Sequence, residues 1–301
     1  VEQFNNAFNF MGYNRRKFSM KNLLKLFLAL FILVSISYNV SLCLAADSTG
    51  ETMILATTYS VSDTGLLDGL LKDFKAKTGI TVKPIVVGSG ESLMLGERGE
   101  CDVIIAHSKD LEEKFMENQF GKDRRPLAKN EFYIIGPDAD PAKIKEAKDV
   151  FEAYAKLDGN GVFISRGDKS GTHNREMSIW KKAGIEKKPG EKYVVSGQGM
   201  AETIKIADEK NAYTMCDSAT FTVMQEKIKS KKLFADPANL TNVYSVITVN
   251  PEKVKNAKYE CAKKFYDYMF SKETVEMVSK YGVDKYKSPL FIILDEAKTG
   301  K

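Results

Sequence analysis

Strand and helix signals alternate along most of the chain, and that alternation restricts the fold more than any other feature. Residues 53–56 are a short apolar run ending in Thr57-Thr58-Tyr59-Ser60. A helix is predicted from about Asp63, with Leu66, Leu67, Leu70, Leu71 and Phe74 on one face and Gly79 as its stop. Residues 82–87 predict the next strand, followed by Gly88-Ser89-Gly90 and a short helix. Residues 103–106 are apolar throughout, as suits a parallel strand covered on both faces, and 110–118 predict a helix. Residues 131–136 read as a strand, and Pro137 and Pro141 mark a break after it. A second block follows, with helices at 141–156, 172–183, 200–209 and 218–229 and strands at 162–165, 193–196 and 212–216. A β-branched strand at 243–249, helices near 254–270 and 272–280, and an extended tail at 289–294 complete the pattern.

Such alternation predicts an α/β fold with mostly parallel sheets. Two blocks with helices left over at the end predict two lobes. The chain leaves the first near residue 131 and returns near 245. Lobe I is then 47–130 plus 245–301 and lobe II 131–244, joined by two crossovers. In such sheets ligands bind beyond the carboxyl ends of the strands, which directs attention to turns 57–60, 88–90, 165–172 and 196–199.

These turns are rich in hydroxyl residues and glycine, and each precedes a predicted helix. A helix start offers unpaired N–H groups and partial positive charge, which suit an anion. Arg166 adds a full charge in a planar fork. The candidate ligand-binding residues are Thr57, Thr58, Ser60, Ser89, Arg166, Ser170, Gly171, Thr172 and Gln198. Any one such turn is explained by helix capping alone, since Ser, Thr, Asp and Gly are good caps and turn residues. Four in phase, with an arginine in one, favour an anion site.

The charge is placed unevenly. Residues 1–46 hold Arg15, Arg16, Lys17, Lys21 and Lys25 against Glu2 alone, so they account for +4 of the net +5. The near-neutral remainder argues against a nucleic-acid partner. From Leu23 to Leu44 runs an apolar stretch preceded by basic residues and followed by Ala45-Ala46, the pattern of a secretory signal. Residues 1–19 precede a more natural start at Met20 and read as a start-site artefact. Cleavage after Ala45 predicts soluble export; a lipid anchor at Cys43 and an uncleaved anchor are the alternatives. All three place the body outside the cytoplasmic membrane. Cys101, Cys216 and Cys261 remain, an odd number, so at least one thiol is expected to stay free.

The body resembles the tungstate-binding proteins of bacterial ABC importers, a family of type II periplasmic binding proteins. The segments that match are ILATTYSVSDTGLL, ECDVIIAHS, NEFYIIGP, VFISRGDKSGTHNRE and VVSGQGMAETIKIADEKNAYTMCDSATF, over nearly all of residues 52–290. The family typically shows three threonines and a serine where this chain has Thr57-Thr58-Tyr59-Ser60, and Thr-Asp-Arg where it has Cys216-Asp217-Ser218. The resemblance implies two lobes that close on a tetrahedral dianion, tungstate first and molybdate second. It implies no metal cofactor and no enzymatic activity, and a membrane permease as partner; a monomer is expected.

Phosphate and sulfate stay open as ligands on the residues alone, because Asp168 could accept from a protonated phosphate oxygen, fix Arg166 or cap the next helix. A rival reading makes the chain an exported hydrolase with Asp63 or Ser178 as catalyst. Asp63-Thr64-Gly65 has no second copy, however, and Ser178-Ile179-Trp180-Lys181 lacks the partner motifs its class needs. His107 is read as a structural side chain or a group just behind the site, and Trp180 as a core residue. The run Lys227, Lys229, Lys231 and Lys232 is read as a solvated face.

Overall fold

The computed structural model describes residues 50–298, which from Glu51 onward pack as one compact unit. The leader, its cleavage point and Cys43 lie outside the described residues. Among the described residues no helix is long and apolar enough to cross a membrane.

The first sheet is built from β1 (Thr52–Thr58), β2 (Thr81–Val87) and β3 (Val103–Ala106), with β1 parallel to both others. Helix α1 (Tyr59–Ser62) is a single turn directly after β1, and α2 (Leu66–Thr78) follows it. The helix expected from Asp63 is α2, with α1 as a separate turn before it, and Gly79 closes α2 in the left-handed region at φ 75°. Helix α3 (Ser89–Arg98) follows β2, and α4 (Lys109–Glu117) follows β3.

Strand β4 (Gly121–Gly136) is 16 residues long, much longer than the six predicted. Its first part, through Glu131, pairs antiparallel with β9 (Thr241–Val249). From Phe132 it pairs instead with β7 (Thr214–Asp217), and from Tyr133 also with β8 (Lys231–Ala235). The polar residues Lys122–Arg125 and Pro126 hid the first part, and the ladder shifts register just after Pro126. β8 was hidden in a lysine-rich stretch, although Lys232 lays its ammonium 4.4 Å from the Tyr133 ring centre. Sheet order is thus mixed. The β–α–β strands run parallel, as expected, but β4 and β9 are antiparallel to their neighbours.

Beyond β4 come α5 (Val150–Leu157), β5 (Phe163–Ser165), α6 (Gly171–Lys182), β6 (Tyr193–Val195), α7 (Met200–Glu209) and α8 (Ser218–Met224). The helix expected at 141–156 is a 3-10 turn (Ile144–Glu146) and then α5. The Asp140 carboxylate holds the N–H groups of Ile144 and Lys145, and Asp149 caps α5 by accepting from Glu152 N–H, so two local caps divide the segment. The chain ends with α9 (Tyr259–Met269), α10 (Lys272–Lys280), α11 (Val283–Tyr286), β10 (Ile292–Ile293) and α12 (Asp295–Lys298).

Two apolar regions support these elements. One packs α2 and α9 over β1, β3 and β9, with Phe74 edge-on to Phe265 at 5.1 Å. The other centres on Trp180, which meets Tyr154 at 4.4 Å and Phe163 at 5.6 Å. Trp180 is thus a core residue, as the sequence suggested. All three cysteines of the described residues are free and buried, and burial pushes the Cys101 thiol up to about 12. Phe74 is fully buried, so Phe74→Ala should cost about 3–5 kcal/mol. Urea unfolding should show a lower midpoint with an unchanged slope; an unmoved midpoint would mean this core is not what holds α2.

Candidate functional site

The strand ends expected to form a site do meet. Thr57 and Thr58 end β1, and Ser60 lies in α1; all three are buried. Thr58 Oγ1 and Ser60 Oγ lie 3.2 Å apart. Ser89 opens α3 and is fully buried, with its Oγ accepting from His107 N–H at 3.2 Å.

Opposite lies the loop from β5 to α6. Ser170 caps α6, its Oγ accepting from His173 N–H, and Ser170 O accepts from Asn174 N–H. The first N–H groups of a helix have no partner within it, so those of Gly171 and Thr172 remain for another acceptor. The two helix starts touch. A methyl group on Gly88 would sit 2.9 Å from Ser170 Cα, and one on Gly171 would sit 2.7 Å from the His107 ring and 2.9 Å from Ser89 Oγ. Only glycine allows this approach.

Arg166 is 3% exposed. Its Nη2 donates to Asp168 Oδ2 at 2.5 Å, and Asp168 Oδ1 accepts from Ser170 N–H at 3.1 Å. Of the three roles open to Asp168, the contacts show it fixing Arg166; the helix cap is Ser170, whose own N–H Asp168 holds. The guanidinium also lies 5.2 Å from the Tyr59 ring centre. Its Nε and the hydroxyl of Thr57 are buried and have no hydrogen-bond partner. A buried donor without a partner costs about 1–3 kcal/mol. Both belong to the turns singled out for anion binding.

The structure does not bring Gln198 into this group. It is exposed, and its backbone bonds to Ser196 Oγ and Thr203 Oγ1. The other predicted residues, Thr57, Thr58, Ser60, Ser89, Arg166, Ser170, Gly171 and Thr172, are all buried, and the contacts above join their turns.

Sequence reasoning missed the buried polar chain behind them. His107 Nδ1 lies 2.9 Å from Asn242 Oδ1, and Asn242 Nδ2 donates to Asn130 Oδ1 at 2.8 Å and to Tyr244 Oη at 3.0 Å. Tyr244 Oη donates to Ser60 Oγ at 2.9 Å, and Asn130 Nδ2 reaches Asp217 Oδ1 at 3.3 Å. Asp217 also caps α8, accepting from Thr220 N–H at 2.9 Å and Thr220 Oγ1 at 2.7 Å. Its place two residues before Ala219 and three before Thr220 was the one visible signal. Asn130, Asn242 and Tyr244 lie on β4 and β9, whose pairing no local pattern reveals. Burial drives the His107 imidazole down to about 4, despite the Asn242 bond, so it is neutral near pH 7. Burial likewise raises Asp217 above the usual carboxylate range. Of the proposed catalysts, Asp63 closes α1 and burial raises its carboxyl to about 6, and Ser178 lines an open groove on α6. Among the described residues no cluster of three or more His, Cys, Asp or Glu could hold a metal ion.

Residues 45–273 match the model of the PBP superfamily domain. The chain is similar to the tungstate-binding protein TupA of Peptoclostridium acidaminophilum, 41% identical over 242 residues, which covers 79% of this chain and 84% of that protein. It is also similar to the solved tungstate ABC transporter structure from Geobacter sulfurreducens, at 42% identity and a TM-score of 0.68, covering 77% of this chain and 99% of that one. The tungstate-binding protein TupA from Desulfovibrio alaskensis G20 matches at 38% identity and a TM-score of 0.65, covering 81% and 99%.

Glu176 supports the Arg166 loop from behind. Its carboxylate accepts from Ser165 Oγ at 2.8 Å, Tyr193 Oη at 2.6 Å and Trp180 Nε1 at 3.2 Å. Burial nevertheless pushes it from its usual 4.5 up to about 7. The folded chain therefore holds this proton more tightly than the unfolded one. The group's stabilisation is complete below its unfolded value and is lost as pH rises through its folded value. Glu176→Gln mimics the protonated form, so it should gain stability relative to the parent as pH rises from 4.5 through 7. Urea unfolding at several pH values measures this; parallel profiles for the two proteins would contradict it.

Proposed function

This chain belongs to the PBP superfamily, in the family of the tungstate-binding proteins, and from that membership we propose that it captures tungstate, and also molybdate, and delivers it to the membrane permease of an ABC importer. It is a binding protein and not an enzyme. It works outside the cytoplasmic membrane, exported by the leader at 1–46, and as a monomer. Lobe I, 47–130 with 245–301, supplies turns 57–60 and 88–90; lobe II, 131–244, supplies Arg166 and the start of α6.

The observation behind this reading is the buried, unpartnered Arg166 Nε and Thr57 hydroxyl beside the touching starts of α3 and α6. A tetrahedral dianion offers acceptors to both. The remaining donors are the hydroxyls of Thr58, Ser60, Ser89, Ser170 and Thr172 and the N–H groups of Gly171 and Thr172. Arg166 contributes the one full charge. A charge-assisted hydrogen bond is worth about 1.5–3 kcal/mol. Arg166→Ala should therefore weaken tungstate binding by about one to two decades. Lysine should restore only part, since it lacks the fork. Titration calorimetry on the full chain measures both; parent-like affinity in Arg166→Ala would remove it from the site.

A second oxyanion reading, phosphate, is weakened by the engagement of Asp168. Its two oxygens already hold Arg166 and Ser170 N–H, so the carboxylate that a protonated phosphate oxygen would seek is engaged within the loop. Sulfate has the charge and shape of tungstate but shorter bonds. Donors held on rigid helix starts would meet it through stretched hydrogen bonds. Tungstate should bind at or above molybdate, and both about 100-fold over sulfate, which is about 2.7 kcal/mol. A competition series in which sulfate or phosphate displaces tungstate at similar concentration would transfer the assignment to a general oxyanion binder.

A further inference from the structure

We infer that Tyr59 is a positioning residue for Arg166, its ring forming a clasp between the guanidinium of Arg166 and the backbone at Gly199. It opens α1, next to Thr57 and Thr58, and is half-buried. The Arg166 Cζ lies 5.2 Å from its ring centre, inside the range of a cation–π contact. On the other side a methyl group on Gly199 would sit 3.0 Å from Tyr59 Cδ1 and 3.2 Å from Cε1. The ring therefore rests directly on the turn that opens α7, and any side chain at 199 would displace it.

One turn further along, Asp63 lies near the start of the same helix, where the Ala201 N–H favours its charged form. The segment 59–63 thus meets the 199–201 segment through the Tyr59 ring, with the Asp63 carboxylate nearby. These residues lie far apart in the chain and belong to the two halves of the alternating pattern.

The geometry restricts Arg166 from two directions. Asp168 holds Nη2, and the Tyr59 ring lies against the guanidinium. The Nε edge is left buried and unpartnered. A guanidinium with only Asp168 to hold it would keep its charge but lose its fixed orientation. The hydroxyl of Tyr59 has no part in this role; its aromatic ring does.

The role as an aid to anion binding rests on the tungstate reading, so the test has an arm independent of it. In the full chain, Tyr59→Ala should weaken tungstate binding about tenfold, mainly through faster dissociation. Tyr59→Phe, which keeps the ring, should recover most of that loss. Gly199→Ala should weaken binding through its clash with the ring, and in the Tyr59→Ala background it should add little. The same four proteins are unfolded in urea without any anion, and the coupling between positions 59 and 199 is taken from both readouts. Coupling in either one supports the clasp. Additive effects in both, or a Tyr59→Phe variant as weak as Tyr59→Ala, would overturn it. If the parent chain binds neither tungstate nor molybdate, the tungstate reading fails, and the clasp is decided by the unfolding arm alone.

Discussion

Two helix starts are pressed together at the centre of this protein, and the rest of the site depends on that approach. The start of α3 meets the start of α6 because Gly88 and Gly171 have no side chains. Helix starts have partial positive charge, so their approach is repulsive unless something negative lies near. Arg166 is buried beside them and adds a full charge, which Asp168 offsets through one nitrogen. Asp168 is fixed by that bond and by Ser170 N–H, so it neutralises Arg166 without reaching across to the α3 start. Burial, positive ends and unpartnered donors together describe an arrangement that gains from a compact anion. That gain differs between a joined and a separated pair of helix starts, which is what allows a ligand to favour one over the other.

Much of this was legible in the sequence because the informative residues are local. Hydroxyl and glycine residues after strands are both caps and donors, and the helix starts at Gly171 and Met200 fall within one residue of where the turns placed them, while α3 begins at Ser89, inside its turn. Arg166 stood out as the one arginine in those turns; Lys169, the other cation there, is exposed. What stayed hidden is non-local. The first half of β4 is charged and contains Pro126, so its strand character comes from pairing with β9 rather than from its own pattern. β8 is written in lysines and becomes a strand because Tyr133 and the β4 ladder accept it. Gln198 illustrates the opposite error. Its turn has the right composition, but the turn meets the site through Gly199 against Tyr59, and the glutamine side chain is left exposed.

The polar chain behind the site explains why its donors keep their places. His107, Asn242, Asn130, Tyr244 and Ser60 are joined by hydrogen bonds through β4 and β9, which pair with each other. A buried network of this kind is favourable only when its members are satisfied. Here each side chain has at least one partner, so moving Ser60 or His107 would break bonds on β4 and β9 as well as at the site. The geometry of the candidate site is therefore tied to the pairing of these two strands.

The same burial decides which charges the site contains. Desolvation drives His107 down to about 4, so the ring beside Gly171 is neutral and adds no positive field. Asp217 is held above the ordinary carboxylate range, and its oxygens are occupied by Thr220 and Asn130. Asp168 has both oxygens engaged as well. A bound anion would thus meet Arg166, hydroxyls and N–H groups, with no carboxylate oxygen among these residues left to accept a proton from it. Hydroxyls can turn to accept, but Ser60 and Ser89 already do so toward Tyr244 and His107. Discrimination against a protonated oxyanion then follows from how the carboxylates are engaged within the fold, rather than from the net charge of the site.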